Sequence, residues 1–321
     1  MEYRNITVAG GGVLGSQIAF QAAYCGFNVT ILIRKEDPRE ETEKKINNLY
    51  DTYRECIEGM ADQGIDYVNY AKGIAPKEFN KDECYKKLES ARDFIRIETD
   101  QKTALEDCDL LVESITEIFD VKSSFFTSVA SLLPEKTVIV TNSSTFLPSK
   151  LAKYTGRPNK FIAMHFANSI WKNNISEIMK HDGTEEKYFN EVVEFAEAIN
   201  MIPLKVNKEK SGYLLNSLLV PFLMCALDLY VNGVSDPKTI DNAWKYGTGA
   251  PRGPFEIFDI VGLETAKNIV SQYQKVPGVF NPLFKKMMLP YNYKGMSDVL
   301  NKLISEGKTG KSAGEGFHRY K

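Results

Sequence analysis

The hydrophobic pattern at the start of the chain predicts a strand, a tight turn, a helix and a second strand. Residues 6–9 form a short β-type run that leads directly into three glycines. Residues 13–25 place apolar side chains on one helix face, and Gly26 follows as a C-terminal stop. Residues 29–33 are almost continuously apolar, as expected of a strand buried in a parallel sheet. These segments predict a βαβ unit.

Further apolar runs with strand character alternate with helical stretches through the first two thirds of the chain. They are residues 94–97, 110–112, 137–140, 161–164 and 202–206. This alternation is typical of an α/β fold with a doubly wound parallel sheet. Residues 37–92 differ, because Lys, Glu, Asp and Tyr dominate them. Their helical spacing predicts one or two exposed amphipathic helices that form a solvated arm.

From Gly212 onward the strand pattern disappears and only helical patterns remain. The predicted helices are residues 213–231, 237–246, 254–273 and 296–305. A short polar stretch at residues 207–211 precedes them. We therefore predict two domains, an α/β domain at residues 1–207 and a smaller, all-helical domain at residues 208–321.

Composition narrows the class of protein. The 321 residues correspond to about two domains at ~150 residues each. With 40 basic and 42 acidic side chains, the net charge of −2 argues against a nucleic-acid or anionic-membrane partner. The longest apolar run, residues 218–227, is interrupted by Pro221 and is too short to cross a bilayer. The strand pattern begins by Ile6, so we expect no signal peptide, and the five scattered cysteines fit reduced thiols in a cytoplasm.

The glycine turn after the first strand points to a dinucleotide. Gly10, Gly12 and Gly15 form Gly-x-Gly-x-x-Gly between a predicted strand and helix. The first glycine allows the sharp turn, the second lets the backbone approach a pyrophosphate, and the third lets helix and strand pack closely. Val13 and Leu14 begin the helix, whose N-terminus offers free N–H groups and a positive dipole end to the phosphates. We therefore predict a Rossmann-type NAD(P)-binding domain, with the plain alternative of a glycine-rich turn without a ligand.

The end of the second strand bears on the choice of cofactor. An NAD-binding unit usually ends this strand with Asp or Glu, which binds the adenosine ribose. Here Ile33 occupies that position, Arg34 and Lys35 follow, and Glu36 and Asp37 lie beyond the strand end. A cationic pair without the carboxylate suits a 2′-phosphate, so NADP(H) is favoured over NAD(H). The alternatives are that Arg34 is only a surface residue, or that a nearby acid restores NAD(H) binding.

Three histidines are candidates for proton transfer. His165 follows an apolar strand at its carboxyl end, where ligands bind in open α/β sheets. His181 lies in a polar run and His318 lies three residues from the C-terminus. By position His165 is the candidate general acid/base, since imidazole titrates near working pH, although a structural histidine is the alternative. We predict no metal site.

Several further motifs accompany the glycine turn and the histidine. They are residues 112–117 with Lys122, 141–144, 165–168 with Glu177 twelve residues after His165, 212–216, 219–221, 253–256, 261–263 and 314–317. In order and spacing they resemble the L-3-hydroxyacyl-CoA dehydrogenase family, which includes bacterial 3-hydroxybutyryl-CoA dehydrogenases. The resemblance covers nearly all of the chain except the arm at about residues 37–92.

The resemblance implies roles for four catalytic residues. His165 would take the C3 hydroxyl proton during oxidation and return it during reduction. Glu177 would hold the imidazole in its productive tautomer and stabilise the imidazolium. Ser144 and Asn216 would hydrogen-bond the substrate oxygens near the reacting carbon.

The resemblance also places three residues at the nicotinamide end of the cofactor, namely Glu117, Lys122 and Ser144. Each has a plain alternative. Ser143 and Ser144 could cap a strand-to-helix turn. Asn216 could be a buried polar residue paired with the backbone, and Glu117 and Lys122 could be an exposed ion pair.

One segment departs from the family pattern. The family usually has His-Phe-Phe-Asn-Pro followed by an apolar run, whereas this chain has His-Phe-Ala-Asn-Ser at residues 165–169 and a polar run at residues 172–174. We expect this polar run to form a wall of the substrate site, which puts the acyl specificity and the CoA requirement in question.

These observations favour a cytoplasmic oxidoreductase that interconverts short-chain 3-hydroxyacyl-CoA and 3-oxoacyl-CoA with NAD(P). One alternative is a dehydrogenase of the same fold acting on a non-CoA hydroxy acid of the gulonate type or on a keto ester. Another is a non-catalytic nicotinamide-binding protein. A homodimer is expected, because the helical domain offers many apolar side chains for burial. They are Leu218, Leu219, Phe222, Leu223, Phe255, Phe258 and Ile260.

Overall fold

A computed structural model describes residues 2–67, 69–274 and 291–320. The chain forms two compact units, Met1–Leu214 and Leu215–Lys321. The division falls a few residues after the predicted boundary at residues 207 and 208, directly before the first helix of the second unit.

The first unit is built on an eight-stranded sheet with the strand order β3-β2-β1-β4-β5-β6-β7-β8. Its strands are β1 Asn5–Ala9, β2 Asn28–Leu32, β3 Ile95–Glu98, β4 Leu110–Glu113, β5 Val138–Thr141, β6 Phe161–Phe166, β7 Ile175–Met179 and β8 Ile202–Val206. The first six are parallel to one another. The order reverses beside β1, so the predicted doubly wound α/β sheet is confirmed.

Strand β7 was not predicted from the sequence. It pairs with β6 in the antiparallel direction and with β8 in the parallel direction. Ser176 and Glu177 interrupt its apolar pattern, although both side chains are buried. The antiparallel register places His165 on β6 directly opposite Glu177 on β7.

The helices of the first unit lie between its strands in the sequence. They are α1 Val13–Tyr24, α2 Arg39–Gln63, α3 Lys81–Ala91, α4 Gln101–Leu105, α5 Phe119–Val129, α6 Pro148–Leu151 and α7 Glu186–Ala198. The prediction of an exposed, solvated arm at residues 37–92 is wrong about its environment. Helices α2 and α3 do form there, but their apolar faces pack in the same buried cluster as α1. Gln21 of α1 holds the connection between them, since its amide nitrogen Nε2 donates to the Gly73 carbonyl at 2.9 Å.

The second unit is helical in its described part. Its helices are α8 Leu215–Val231, α9 Pro237–Thr248, α10 Pro254–Val261, α11 Leu263–Gln274 and α12 Tyr293–Ser305. The single helix predicted at residues 254–273 is therefore two helices, which separate at Gly262 with φ +91°. Phe255 and Phe258 lie in the core of this unit. Phe317 also packs against that core.

His318 has a structural environment in this unit. Its Nε2 lies 2.7 Å from the Asp241 carboxylate, and its backbone N–H donates to Asp259 at 2.9 Å. Asp241 and Asp259 are both buried. These contacts hold the C-terminal segment on the helices and leave His318 without a role in the predicted chemistry.

Candidate active site

The glycine turn has the close packing that its motif predicts. A Cβ on Gly10, where φ is +113°, would lie 2.5 Å from the Ser114 carbonyl oxygen. A Cβ on Gly15 would lie 2.0 Å from the Gly10 carbonyl oxygen, so α1 packs directly on the turn. Gly12 instead faces open space and is the N-cap of α1, with no side chain capping the helix. The amide groups at this end of α1 are therefore available for an anion.

A cavity of about 860 Å³ lies in front of this turn. It is lined by Gly10, Gly12, Ile33 and Arg34, among other residues, and its volume is in the range of roughly 300–1,000 Å³ usual for cofactor sites. The turn, the free helix end and the cavity fit the phosphates and adenosine of a dinucleotide. Val13 is 66% exposed at the start of α1.

Leu14 does not line this cavity. It is partly buried and packs against the main hydrophobic cluster of the first unit.

Arg34 is paired with an acid in the structure. Its Nη2 lies 2.6 Å from Asp37 Oδ1, and its Nε donates to Asp37 Oδ2 at 3.2 Å. The hydrogen bond from this guanidinium lowers the pKa of the Asp37 carboxyl. Both side chains line the cavity, so a phosphate reaching Arg34 has to compete with Asp37.

The predicted catalytic residues of the first unit form one hydrogen-bonded chain. His165 Nδ1 lies 3.0 Å from Glu177 Oε2, and His165 Nε2 lies 3.1 Å from Ser144 Oγ. The Glu177 carboxylate only accepts hydrogen bonds, so Nδ1 carries the proton and Nε2 presents its lone pair to the Ser144 hydroxyl. His165 and Glu177 are both buried. This geometry holds the imidazole in the tautomer of a general base.

Tyr213 completes the surroundings of His165 and was not predicted from the sequence. Its ring stacks on the imidazole with centroids 4.6 Å apart and planes inclined by 19°. Its hydroxyl donates to the Ser143 carbonyl at 2.7 Å. Burial, together with the nearby carboxylates, raises the pKa of Tyr213 above its usual value, so the phenol stays protonated. The backbone of Tyr213 has φ +51°, and the next N–H, of Leu214, donates to Glu177 Oε1 at 2.8 Å.

Glu117 and Lys122 are not the exposed pair of the plain alternative, because Lys122 is 1% exposed. Its Nζ lies 2.5 Å from Glu113 Oε1 and 3.1 Å from Glu117 Oε2. Burial opposes ionisation of Glu117, but hydrogen bonds from Ser143 and Thr145 and the charge of Lys122 hold its pKa below the usual value.

Glu113 was missed by the sequence analysis, although its place at the carboxyl end of β4 was a usable signal. It is completely buried and accepts a further hydrogen bond from Thr141 Oγ1 at 2.6 Å. The structure thus joins Glu113, Lys122, Glu117 and Ser143 into one network that reaches Tyr213.

Asn216 lies near the beginning of α8 in the second unit, apart in sequence from the other predicted catalytic residues. Its predicted contact with substrate remains a prediction.

The predicted polar wall at residues 172–174 is wrong for two of its three side chains. Lys172 Nζ lies 2.5 Å from Asn69 Oδ1, in the connection between α2 and α3. Asn174 is buried and donates to the Asn200 carbonyl at 2.9 Å. Only Asn173 is exposed. The run is polar because it binds neighbouring parts of the first unit.

His181 is explained by local structure. Its Nε2 lies 3.0 Å from the Pro158 carbonyl oxygen, and its Nδ1 accepts from the Gly183 N–H at 3.1 Å. Within the described ranges there is no group of three or more His, Cys, Asp or Glu side chains that could hold a metal ion. No helix in the described part of the chain is long and apolar enough to cross a membrane.

Comparison with known proteins agrees with this arrangement. The sequence profile of the 3-hydroxyacyl-CoA dehydrogenase NAD binding domain matches residues 5–210, and that of the C-terminal domain matches residues 212–320. Human mitochondrial hydroxyacyl-coenzyme A dehydrogenase is 33% identical over 319 residues, which cover 99% of this chain and 91% of that protein. A probable 3-hydroxybutyryl-CoA dehydrogenase from Deinococcus radiodurans is 27% identical over 316 residues, covering 98% and 99%.

Solved structures show the same fold over the whole chain. A diketoreductase, described as performing substrate-directed dual catalysis of dicarbonyl compounds, has a TM-score of 0.81 at 42% identity and full coverage, 100%, of both chains. The (S)-3-hydroxybutyryl-CoA dehydrogenase of Ralstonia eutropha has a TM-score of 0.75 at 22% identity, also covering 100% of both chains, which shows the fold alone.

The fold and the site define an oxidoreductase with an N-terminal domain for a nicotinamide cofactor and a helical C-terminal domain. The chain belongs to the 3-hydroxyacyl-CoA dehydrogenase family, as the resemblance of its motifs indicated.

Proposed function

We propose that this protein interconverts short-chain 3-hydroxyacyl-CoA and 3-oxoacyl-CoA, with His165 as the general acid/base. The observation that carries the proposal is the hydrogen-bonded chain Ser144–His165–Glu177, with contacts of 3.1 and 3.0 Å. Proton transfer by such a positioned imidazole contributes roughly 10²–10⁴-fold to a rate.

In the oxidation direction, His165 Nε2 accepts the proton of the C3 hydroxyl, and the hydride on the same carbon would pass to the oxidised nicotinamide held by the first unit. Glu177 stabilises the resulting imidazolium through its contact with Nδ1. Ser144 Oγ exchanges its hydrogen bond with Nε2 for one with the substrate oxygen. In the reduction direction the imidazolium returns the proton to the C3 oxygen.

Binding of the cofactor is assigned to residues of the first unit. The N–H groups at Gly12 and Val13 would hold the pyrophosphate, and Glu117, in its contact with Lys122, would orient the nicotinamide end. A bound nicotinamide would supply the hydride chemistry. The protein contributes the positions of cofactor and substrate and the electrostatic environment of the reacting groups. The carboxylates of Glu113 and Glu117 surround the single ammonium of Lys122 and give the group a net negative charge. This charge favours the cationic ring of an oxidised nicotinamide nearby.

The test is a steady-state assay of the purified protein that follows oxidation of the reduced nicotinamide by its absorbance. Acetoacetyl-CoA is compared with free acetoacetate and with ethyl acetoacetate at equal concentrations. Turnover of acetoacetyl-CoA with the highest kcat/KM supports the proposal. Turnover of the CoA-free compounds alone would contradict it.

A second candidate is reduction of a dicarbonyl compound or keto ester that carries no CoA. Two observations favour it: the 42% identity to a protein described as a diketoreductase, and the departure from the family pattern at residues 167–169. The same three-substrate assay distinguishes the two candidates, because this one expects ethyl acetoacetate to be the better substrate.

For the cofactor we infer a preference for NADP(H) over NAD(H). Ile33 puts no carboxylate at the end of β2, and Arg34 is 74% exposed at the cavity. Its pairing with Asp37 weakens this preference, since the phosphate must displace that carboxylate.

Arg34→Ala should lower kcat/KM for NADPH about tenfold and leave kcat/KM for NADH unchanged. Asp37→Asn should raise the ratio of kcat/KM for NADPH to that for NADH. Arg39→Ala, on an exposed arginine outside the cavity lining, is the control. A wild type that uses NADH equally well or better would refute the preference.

We further propose a homodimer formed through the second unit. Of the residues predicted for an interface, Leu223, Phe255 and Phe258 are buried within the unit, whereas Leu218 is 74% and Ile260 is 45% exposed. Light scattering after gel filtration should give a dimer for the wild type and a smaller species for Leu218→Asp. A monomeric wild type at micromolar concentration would contradict this assignment.

A cytoplasmic location is also proposed, supported by five cysteines that are all free. Recovery of the native protein from a membrane-free, reducing cytosolic fraction is the expected result, and recovery from another compartment would contradict it.

A further inference from the structure

Tyr213 is a buried residue in a backbone conformation that bulky side chains rarely adopt. Its φ of +51° is unfavourable and persists only where the surroundings fix it. The Tyr213 N–H donates to the Lys210 carbonyl at 3.1 Å, and the hydroxyl donates to the Ser143 carbonyl at 2.7 Å. The next N–H, of Leu214, donates to Glu177 Oε1 at 2.8 Å. These contacts hold Tyr213 in one orientation.

Each of three parts of Tyr213 reaches a different member of the chain Ser144–His165–Glu177. The ring lies on the imidazole, with centroids 4.6 Å apart and planes inclined by 19°. The hydroxyl binds the carbonyl of the peptide unit that joins Ser143 to Ser144. The N–H that follows Tyr213 binds the carboxylate that also contacts His165 Nδ1. One residue therefore acts on the base, on its hydroxyl partner and on its carboxylate.

The Tyr213 ring covers a face of the imidazole, whereas the two nitrogens of His165 point to other groups. Nδ1 lies 3.0 Å from Glu177 Oε2, and Nε2 lies 3.1 Å from Ser144 Oγ. When His165 takes a proton, the positive charge spreads over its ring and meets the negative π face of the phenol. Both rings are buried, so water screens this attraction little.

The phenol stays uncharged in this position. Burial raises the pKa of the Tyr213 hydroxyl above its usual value, and the charges of Glu117, Glu177 and Glu113 act in the same direction. Lys122 pairs with Glu113 and Glu117 and offsets part of their charge. The imidazolium therefore meets an intact, neutral π face.

We propose that Tyr213 is a positioning residue with two separable actions. The face of its ring stabilises the imidazolium that His165 becomes when it takes the substrate proton, and its hydroxyl orients the peptide that carries Ser144. In the reduction direction the imidazolium is the proton donor, so the ring keeps this donor protonated to a higher pH. The inference rests on the proposed function, because that reaction forms and consumes the imidazolium.

Two replacements separate the ring from the hydroxyl. Tyr213→Phe keeps the π face and loses the hydroxyl, whereas pentafluorophenylalanine at the same position keeps the ring shape and reverses the charge of its face. Nitrogen NMR of the three histidines gives the pH at which His165 is half protonated. Tyr213→Phe should keep the wild-type midpoint. The fluorinated ring should lower the midpoint by about one pH unit, as should Tyr213→Leu.

The rate of reduction gives a second readout, with the best substrate of the three-substrate assay. The pH at which kcat falls to half its maximum should be about one unit lower with the fluorinated ring than in Tyr213→Phe. Tyr213→Phe should itself lose about threefold to tenfold in kcat with KM little changed, because the Ser143 carbonyl loses this donor. Tyr24→Phe, which removes a buried hydroxyl from α1, is the matched control and should behave as the wild type.

Equal protonation midpoints in Tyr213→Phe and with the fluorinated ring would overturn the action of the ring. A wild-type kcat in Tyr213→Phe would overturn the action of the hydroxyl. If the wild type reduces none of the substrates, the proposed function fails, and the NMR midpoints decide on the ring. The hydroxyl is then judged by hydrogen exchange of the Phe146 N–H, which donates to Ser143 Oγ at 2.9 Å. Faster exchange in Tyr213→Phe supports its action, and unchanged exchange overturns it.

Discussion

Replacing Glu177 by glutamine should affect His165 through the proton on its ring. Glu177 accepts hydrogen bonds from His165 Nδ1 at 3.0 Å and from the Leu214 N–H at 2.8 Å. A glutamine has only one acceptor oxygen, and the Leu214 N–H can only donate. The amide oxygen therefore turns to Leu214, and the amide NH₂ faces Nδ1. The imidazole must then carry its proton on Nε2, where the general base needs a lone pair.

The magnitude of this effect follows from the lost interactions. A hydrogen bond to a charged group contributes about 1.5–3 kcal/mol, or roughly 10- to 150-fold in rate. The wrong tautomer adds to this, up to about 10⁴-fold in comparable serine–histidine–carboxylate triads. We expect Glu177→Gln to lower kcat by about 10²–10⁴-fold, measured by nicotinamide absorbance at saturating substrate and cofactor.

Two controls separate this loss from misfolding. Glu40→Gln, on an exposed glutamate of α2, should leave kcat unchanged. The Kd of the reduced cofactor for Glu177→Gln, measured by fluorescence, should match that of the wild type. The reason is that the glycine turn follows β1, whereas Glu177 lies on β7. A kcat within threefold of the wild type, at unchanged Kd, would refute the tautomer argument.

The remaining predictions concern the network around the site. Lys122→Met leaves the completely buried Glu113 without its cation and should lower the free energy of unfolding by about 3–5 kcal/mol in urea titrations; less than 1 kcal/mol would contradict the ion pair. Because the pKa of Glu117 is lowered in the folded protein, its ionised carboxylate stabilises the fold. This contribution to the free energy of unfolding is complete above the usual glutamate pKa and is lost as the pH falls through the lowered value. The Tm difference between wild type and Glu117→Gln should therefore shrink in acid. A difference that grows in acid would contradict a lowered pKa of Glu117. Tyr213→Phe keeps the ring stack on His165 and should retain more kcat than Tyr213→Leu; equal losses would contradict the stacking role.

Most of the sheet could be predicted, because parallel strands buried on both faces leave continuous apolar runs such as those of β1, β2 and β4. Strand β7 could not, since Ser176 and Glu177 break its run, and their burial depends on partners distant in sequence. The α2–α3 region was misjudged for a related reason. Its many charges cover the outer faces, while the inner face is buried by α1, and the charge density of a segment does not reveal its packing.

For the site, residues that carry chemistry in recognisable order were accessible from the sequence, as with His165 and Glu177. Residues that act by shape or by backbone geometry were not. Tyr213 has its effect through a stacked ring and a positive φ. The polar run at residues 172–174 was assigned to the substrate because a sequence does not show which way a side chain points.

The most direct test of the account is the turnover of His165→Ala compared with the wild type, using the best substrate found in the three-substrate assay. We predict a loss of roughly 10²–10⁴-fold in kcat with an unchanged cofactor Kd, because the acid/base is removed while the phosphate turn is intact. If the variant keeps a tenth or more of wild-type kcat, His165 is structural, and the proposed chemistry is wrong.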